Sequence, residues 1–168
     1  MLIDITLEQA LETLCDTKII LHEILIPSHC KNANSPYKPE YEWLFMYERK
    51  LAAFLETWTA HLRNELIGDK GILCEALSNA FCHGHKKDPL LPIDVYVFLG
   101  ENGLLVRIKD TGPGFNLDDV KDQYTKGKTY FHLAGNGLRQ MIRSSDFQIF
   151  YTDNGTGFNL MYLFVLDK

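Results

Sequence analysis

The order of apolar patterns along the chain predicts an α+β fold, with a mixed, mostly antiparallel sheet covered on one face by helices. Helical periodicity dominates the first half of the chain, and strand-like segments are concentrated in the second half. Short stretches containing glycine and asparagine separate two pairs of those strands, which is typical of antiparallel hairpins. The sequence therefore predicts a two-layer α/β sandwich.

Length and composition indicate one globular domain. The chain has 168 residues, of which 46% are hydrophobic and 23% charged, so we expect residues 1–168 to form a single domain. Its net charge of −5 argues against nucleic-acid binding through phosphate neutralisation. No apolar run approaches the roughly 18 residues of a membrane span, and the four cysteines form no CxxC pair. We therefore expect a cytoplasmic protein with no membrane anchor and no direct nucleic-acid partner.

The secondary-structure elements follow from local signals along the chain. Thr6 is the expected N-cap of a short leading helix inside an N-terminal extension of about residues 1–17. Gly68 separates two longer helical patterns, over residues 41–66 and 70–83, and a polar loop with two prolines at 28–40 precedes them. A third helical pattern covers residues 138–143. Strands are predicted at residues 18–26, 93–99, 104–109, 147–152 and 158–166.

Polar residues line one face of the helix predicted at residues 70–83. Glu75, Asn79 and His83 recur every four residues, and each such step drifts only about 40° around a helix. A base, an amide oxygen and an imidazole in one row can hold a metal and activate a hydroxyl; the alternative is a solvated helix face. The opposite face carries the apolar stripe expected to pack on the core: Leu73, Ala76, Leu77, Ala80 and Phe81.

Two glycine-containing segments are candidates for ligand contact. Asp110-Thr-Gly112-Pro-Gly114-Phe follows a predicted strand, where a carboxylate can accept from an exocyclic amine and glycines allow a flat ligand to approach. Ala-Gly135-Asn-Gly137-Leu opens a predicted helix, whose exposed N–H groups suit phosphate oxygens. The alternatives are a tight surface turn for the first segment and an ordinary glycine-rich connection for the second.

Two further metal or phosphate motifs are incomplete. Gly127-Lys128-Thr129 is similar to the end of a P-loop, but Asp122 stands where that motif requires glycine. Cys74, Cys82, His83 and His85 include zinc-binding residue types, but no spaced pairs of cysteine or histidine complete a site.

The ordered set of a Glu/Asn/His helix, a strand-end Asp with glycines and a glycine-opened helix resembles a known superfamily. These are the N, G1 and G2 boxes of the ATP-binding superfamily of gyrase, Hsp90, histidine kinases and MutL. The run Glu75-Ala-Leu-Ser-Asn79-Ala-Phe-Cys-His83-Gly84 looks most like the anti-sigma factor serine kinases. The resemblance covers about residues 18–166 and implies a Bergerat-type ATP-binding fold.

The resemblance also implies roles for individual residues. Asn79 matches the Mg²⁺ ligand that bridges to phosphates, and Glu75 matches the general base towards the acceptor hydroxyl. Asp110 matches the acceptor for the adenine amine. His83 either supports the triphosphate or simply ends the helix. Glycines match the base pocket (Gly112 and Gly114) and the phosphate cradle (Gly135 and Gly137).

A lid over ATP is expected at about residues 116–134. Lys126, Lys128 and His132 are its candidates for phosphate contacts, and a solvated charged loop is the alternative. The resemblance implies a serine/threonine protein kinase that uses ATP and Mg²⁺, with an anti-sigma factor antagonist or a sigma factor as partner and homodimerisation as its assembly. The other readings are an ATP-binding regulatory module without phosphoryl transfer and a stand-alone histidine-kinase catalytic domain.

Overall fold

The computed structural model describes residues 2–30, 40–67, 71–116 and 146–164. In these residues one five-stranded sheet, with every pair of strands antiparallel, carries four α-helices, and the predicted α+β class is confirmed. Among the described helices none is both long and apolar enough to cross a bilayer. The strands are β1 Lys18–Leu25, β2 Ile93–Leu99, β3 Gly103–Lys109, β4 Phe147–Thr152 and β5 Gly157–Leu163, in the order β1-β2-β3-β5-β4. The helices are α1 Leu7–Leu14, α2 Glu42–Thr59, α3 Arg63–Leu66 and α4 Ile72–Asn79.

The main core lies between one face of the sheet and helices α2 to α4. Successive strand residues point to opposite faces, so every second residue of β2 and β3 enters this core. Helix α2 contributes the fully buried side chains of Leu51 and Leu55, and α4 contributes Leu73 and Leu77. The strand residues in this core include Ile93, Val95, Val97, Leu104, Val106, Ile108, Phe147, Ile149 and Leu160.

Helix α1 packs on the opposite face of the sheet. It begins with a capping box in which the Gln9 N–H donates to Thr6 Oγ1 at 3.2 Å and the Thr6 N–H donates to Gln9 Oε1 at 2.8 Å. The N-cap prediction for Thr6 is thus confirmed. The expected coverage of one face by helices is extended, because α1 and the sheet enclose a second, smaller core. Its buried members are Ala10, Leu14, Leu105, Phe150 and Met161.

The prediction of one continuous helix over residues 41–66 is wrong. Helix α2 ends at Thr59, a 3₁₀ turn follows at Ala60–Leu62, and α3 continues from there. The Thr59 hydroxyl donates to the Leu55 carbonyl at 3.0 Å, four residues earlier. Such a back-bond competes with the helix ladder and bends helices. Apolar periodicity does not register this competition, because the buried stripe continues through the break.

A buried polar network joins the three strands β3, β4 and β5. The Arg107 side chain is only 7% exposed, and its Nη1 donates to Thr152 Oγ1 at 2.7 Å and to Asn159 Oδ1 at 3.0 Å. Arg107 also forms an ion pair with Asp153. The network lies on the face of the sheet that α1 partly covers, because Arg107 follows Leu105 by two residues. Its charge is therefore paired inside the fold.

Candidate functional site

Helix α4 places Glu75 and Asn79 side by side. Gly71 is its N-cap, and the predicted apolar stripe from Leu73 to Phe81 is buried as expected. Glu75 and Asn79, one helical turn apart, are both half-buried on the other side of the helix. The fold therefore presents a carboxylate and an amide together at the rim of the main core.

The helix prediction over residues 70–83 is wrong beyond Asn79. Ala80–Gly84 form a π-helical turn, in which the His85 N–H donates to the Ala80 carbonyl at 2.9 Å. A π turn holds more residues than an α turn, so the regular spacing of the polar row stops at Asn79. His83 lies on this wider turn and is exposed. Turns of this kind occur frequently at functional sites.

The end of this turn fits against the strand-end carboxylate of Asp110. Asp110 is 8% exposed, and its Oδ1 accepts from the Gly112 N–H at 2.7 Å. A Cβ on Gly84 would lie 2.5 Å from the Asp110 carboxyl carbon, and a Cβ on Gly112 would lie 2.1 Å from the Gly84 carbonyl oxygen. Both glycines are therefore required for the loop after β3 to approach the helix end this closely.

Burial shifts the pKa of both carboxylates in this region. Burial raises the pKa of Asp110, while the Gly112 N–H and His85 act in the opposite direction. Burial also raises the pKa of Glu75. A carboxylate has capacity for about four hydrogen bonds, so Asp110 can accept from a ligand amine in addition to Gly112. The raised pKa of Glu75 makes its carboxylate a stronger base than an exposed glutamate.

An open groove of about 630 Å³ is lined by residues 113–116, which follow Asp110, and by residues of β4 and the turn after it. Gly114 has a φ of 72°, and a Cβ there would lie 2.0 Å from the Asn154 carbonyl oxygen, which accepts from the Phe115 N–H at 2.8 Å. The Phe115 ring meets the Tyr151 ring edge-on at 5.1 Å. Burial and the charge of Glu75 both raise the pKa of Tyr151. The Tyr151 hydroxyl therefore lies within the electrostatic influence of Glu75 on α4.

The structure thus brings some of the candidate site residues together. Glu75 and Asn79 share one helix face, while Asp110 and Gly112 meet the end of the same helix at Gly84. In the described part of the chain, Cys74, Cys82, His83 and His85 do not form a group of three potential zinc ligands. The lid residues Lys126 and Lys128 and the glycines Gly135 and Gly137 lie outside the described residues.

Sequence reasoning overlooked two residues of this region. His85 is 3% exposed and contacts the Asp110 loop, whereas the sequence pattern presents it only as a candidate zinc ligand. Its position directly after Gly84, at the end of the helix that carries Glu75 and Asn79, is the feature of the sequence that could have indicated it. Tyr151 lies in β4 beside Phe115, and nothing in its strand distinguishes it from an ordinary core aromatic.

Comparison with known proteins identifies a family for this arrangement. A family model described as "Histidine kinase-like ATPase domain" matches residues 47–158. An anti-sigma F factor from Bacillus cytotoxicus (strain DSM 22905 / CIP 110041 / 391-98 / NVH 391-98) is 31% identical over 83 residues. That alignment covers 49% of this chain and spans 57% of the relative's length.

Proposed function

The chain belongs to the histidine kinase-like ATPase domain family, which implies ATP binding, and we propose that it is a single-domain regulator of the anti-sigma factor type. Its activity is that of a protein serine/threonine kinase, which transfers the γ-phosphoryl group of ATP to a protein partner. The observation that carries the proposal is the contact of a buried, strand-end carboxylate with the end of the helix that bears Glu75 and Asn79.

The base end of the site is formed by Asp110 and its glycines. Asp110 accepts a hydrogen bond from the adenine amine. The close approach of Gly112 to Gly84 holds the loop against the helix end and leaves space for a flat base over the loop. Gly114 supports the loop from the other side through the Asn154 turn. A buried carboxylate is a selective feature here, because a base without a donor at that position leaves a carboxylate oxygen unpaired.

The reacting end of the site is formed by Glu75 and Asn79 on helix α4. The half-buried Asn79 offers an amide oxygen, which is a ligand that Mg²⁺ accepts, and the residues present therefore fit the ion. Bound Mg²⁺ neutralises phosphate charge and orients the phosphates. Glu75 takes the proton of the attacking hydroxyl. We assign phosphate contacts to His83, to the lid residues Lys126 and Lys128 and to the cradle of Gly135 and Gly137.

The partner proposal rests on the relative whose name is anti-sigma F factor. We assign to this chain a sigma factor as bound partner and an anti-sigma factor antagonist as phosphoryl acceptor. Homodimerisation and a cytoplasmic location belong to the same proposal. None of the four cysteines, Cys15, Cys30, Cys74 and Cys82, forms a disulfide, which suits a reducing compartment.

The kinase proposal is tested with γ-labelled ATP and a cell extract, followed by identification of the labelled protein and residue. Wild-type protein should label a serine or threonine of a partner. Glu75→Gln should lose transfer and keep its affinity for ADP, whereas Asp110→Asn should lose about 10- to 100-fold in ADP affinity through the missing amine contact. Glu12→Gln, on the exposed side of α1, is the matched control and should behave as wild type.

Each alternative has its own outcome in the same experiment. Unchanged transfer by Glu75→Gln contradicts its role as base, and full ADP affinity in Asp110→Asn contradicts the adenine contact. ADP binding without any labelled partner indicates a regulatory module that uses ATP only to order its surface. An acid-labile label indicates phosphohistidine and therefore a histidine-kinase catalytic domain.

A further inference from the structure

A buried histidine connects the end of the motif helix to the Asp110 loop. His85 follows the π-helical turn directly and is 3% exposed. Its Nε2 lies 3.0 Å from the Thr111 backbone nitrogen and 3.1 Å from the Thr111 hydroxyl oxygen. Thr111 stands between Asp110 and Gly112, the two residues that form the proposed base contact. One imidazole therefore contacts the middle of the Asp110 loop, residues 110–112.

The hydrogen bond to the backbone fixes the protonation state of this imidazole. The Thr111 N–H can only donate, so Nε2 of His85 must carry a lone pair. The proton of the neutral ring then lies on Nδ1, which has no hydrogen-bond partner within the described residues. A doubly protonated ring would direct an N–H at the Thr111 N–H, and the contact would be lost.

The same contact is tied to the position of Asp110. Thr111 cannot move without moving the adjacent carboxylate, and Gly84, adjacent to His85, already lies against the Asp110 side chain. The helix end thus holds the loop at two points, through the fit at Gly84 and through the hydrogen bonds of His85. The second of these depends on an imidazole, a group whose unperturbed pKa is close to neutral pH.

The charged groups that act on the His85 ring come from its own loop and from the end of β3. Burial lowers the pKa of His85, while the charges of Asp110 and Asp88 act to raise it. Burial has the largest effect, so the neutral ring is the favoured form in the folded protein. The charge state of the ring agrees with the geometry at Thr111.

We propose that His85 is the positioning residue of the Asp110 loop, and that only its neutral form holds the loop ready to accept an adenine base. The proposal rests on the ATP site assigned above. The folded-state pKa of His85 is lowered, so protonation opposes the native contact. Adenine-nucleotide affinity is therefore fully present above about pH 6.5 and is lost as the pH falls through the lowered pKa.

The test measures ADP affinity in the presence of Mg²⁺, by calorimetry, from about pH 8 to about pH 5. Three proteins are compared: wild type, His85→Gln and His85→Phe. Glutamine offers an acceptor oxygen near the position of Nε2 but does not titrate, whereas phenylalanine fills the space without an acceptor. His22→Gln is the control, since His22 is exposed on β1 and pairs with Asp94 on the other face of the sheet.

We expect wild type and His85→Gln to bind ADP equally at about pH 8, and wild type to bind progressively more weakly than His85→Gln as the pH falls to about 5. The ratio of the two affinities at each pH removes the titration of ADP itself. His85→Phe should bind about tenfold more weakly than His85→Gln throughout. His22→Gln should follow wild type.

The proposal is overturned if His85→Gln shows the pH dependence of wild type, or if His85→Phe binds ADP as tightly as wild type. If His85→Phe does not fold, the comparison of wild type with His85→Gln decides alone, since glutamine keeps the contact. Failure of the wild-type protein to bind ADP at any pH is a different result, and it contradicts the proposed ATP site instead.

Discussion

Glu75 shows at the scale of a single residue how a function can oppose stability. Its side chain is half-buried at the rim of the main core, and burial raises its pKa. The carboxylate is therefore disfavoured in the folded protein relative to the unfolded chain, where the pKa is about 4.5. In its proposed role as a base, Glu75 gains from a raised pKa because it accepts a proton more readily, whereas its charged form weakens the fold that holds it.

Glu75→Gln should therefore stabilise the protein while it abolishes transfer. The stability contribution of a group with a raised folded-state pKa is present at low pH and is lost as the pH rises through that pKa. Glutamine avoids this loss, so we expect a gain of about 1 kcal/mol near pH 7. Urea unfolding at a series of pH values measures it, and the gain should vanish below about pH 4.5. A loss of stability at pH 7, or a gain that is independent of pH, contradicts the burial argument; Glu12→Gln is the control.

At the scale of elements, periodicity predicted where helices lie but not how each helix continues. The apolar stripe of α4 runs through residues 73–81 and is buried as predicted, yet the backbone changes to a π turn at Ala80–Gly84. The same limit applies to α2, whose pattern continues past the 3₁₀ turn at Ala60–Leu62. Burial patterns report which face of an element is covered, whereas hydrogen-bond register depends on contacts with distant residues such as Asp110.

Gly112→Ala tests the contact between an element and the loop that faces it. A Cβ at this position would lie 2.1 Å from the Gly84 carbonyl oxygen, so the Asp110 loop must move away from the helix end. We expect a loss of about 1–3 kcal/mol in unfolding free energy and at least a tenfold loss in ADP affinity. Chemical denaturation and calorimetry measure the two effects.

Gly100→Ala is the matched control for that variant. Its Cβ would lie 2.3 Å from the Leu14 carbonyl oxygen, a clash with backbone of similar severity in the turn between β2 and β3. Gly100→Ala should lose stability but keep its ADP affinity. If both variants lose ADP affinity equally, the effect of Gly112→Ala is a general destabilisation of the fold and not a displacement of the Asp110 loop.

At the scale of the whole molecule, the sheet separates two cores of unequal size. Helices α2 to α4 cover one face, and α1 covers part of the other with a small cluster around Leu14. The sequence predicted the fold class, the two hairpins and the capping of α1 by Thr6. It did not predict the second core, since an amphipathic helix reveals that it has an apolar face and not which side of a sheet that face meets.

The site shows the same division between local and distant information. Glu75 and Asn79 follow from spacing on one helix, and Asp110 follows from its position after a strand. The fit of Gly84 against Asp110 and the contact of His85 with Thr111 join positions 26 residues apart. Such contacts depend on the packing of the helix end against the sheet, and no pattern within either segment contains them.

Leu14→Ala tests whether the two cores unfold together. Leu14 is fully buried in the smaller core, and its truncation leaves a cavity that should cost about 2–5 kcal/mol. β3, β4 and β5 contribute side chains to both cores, so we expect one unfolding transition at lower urea concentration and unchanged ADP affinity under native conditions. Leu11→Ala, at a partly buried position on the same helix, should cost less. Two separate transitions would show that α1 and its core unfold independently.

The buried Arg107 has a consequence for how the sheet finds its strand alignment. β3 must pair with β5, whose residues come about fifty positions later, so no short turn sets their register. A slip of one residue would turn Arg107 towards the face packed by α2 and α4, away from its partners Thr152, Asp153 and Asn159. The native alignment places Thr152, Asp153 and Asn159 in contact with the Arg107 guanidinium. The Arg107 network therefore favours the native register of β3 and β5, because a misaligned sheet loses these partners of a buried guanidinium.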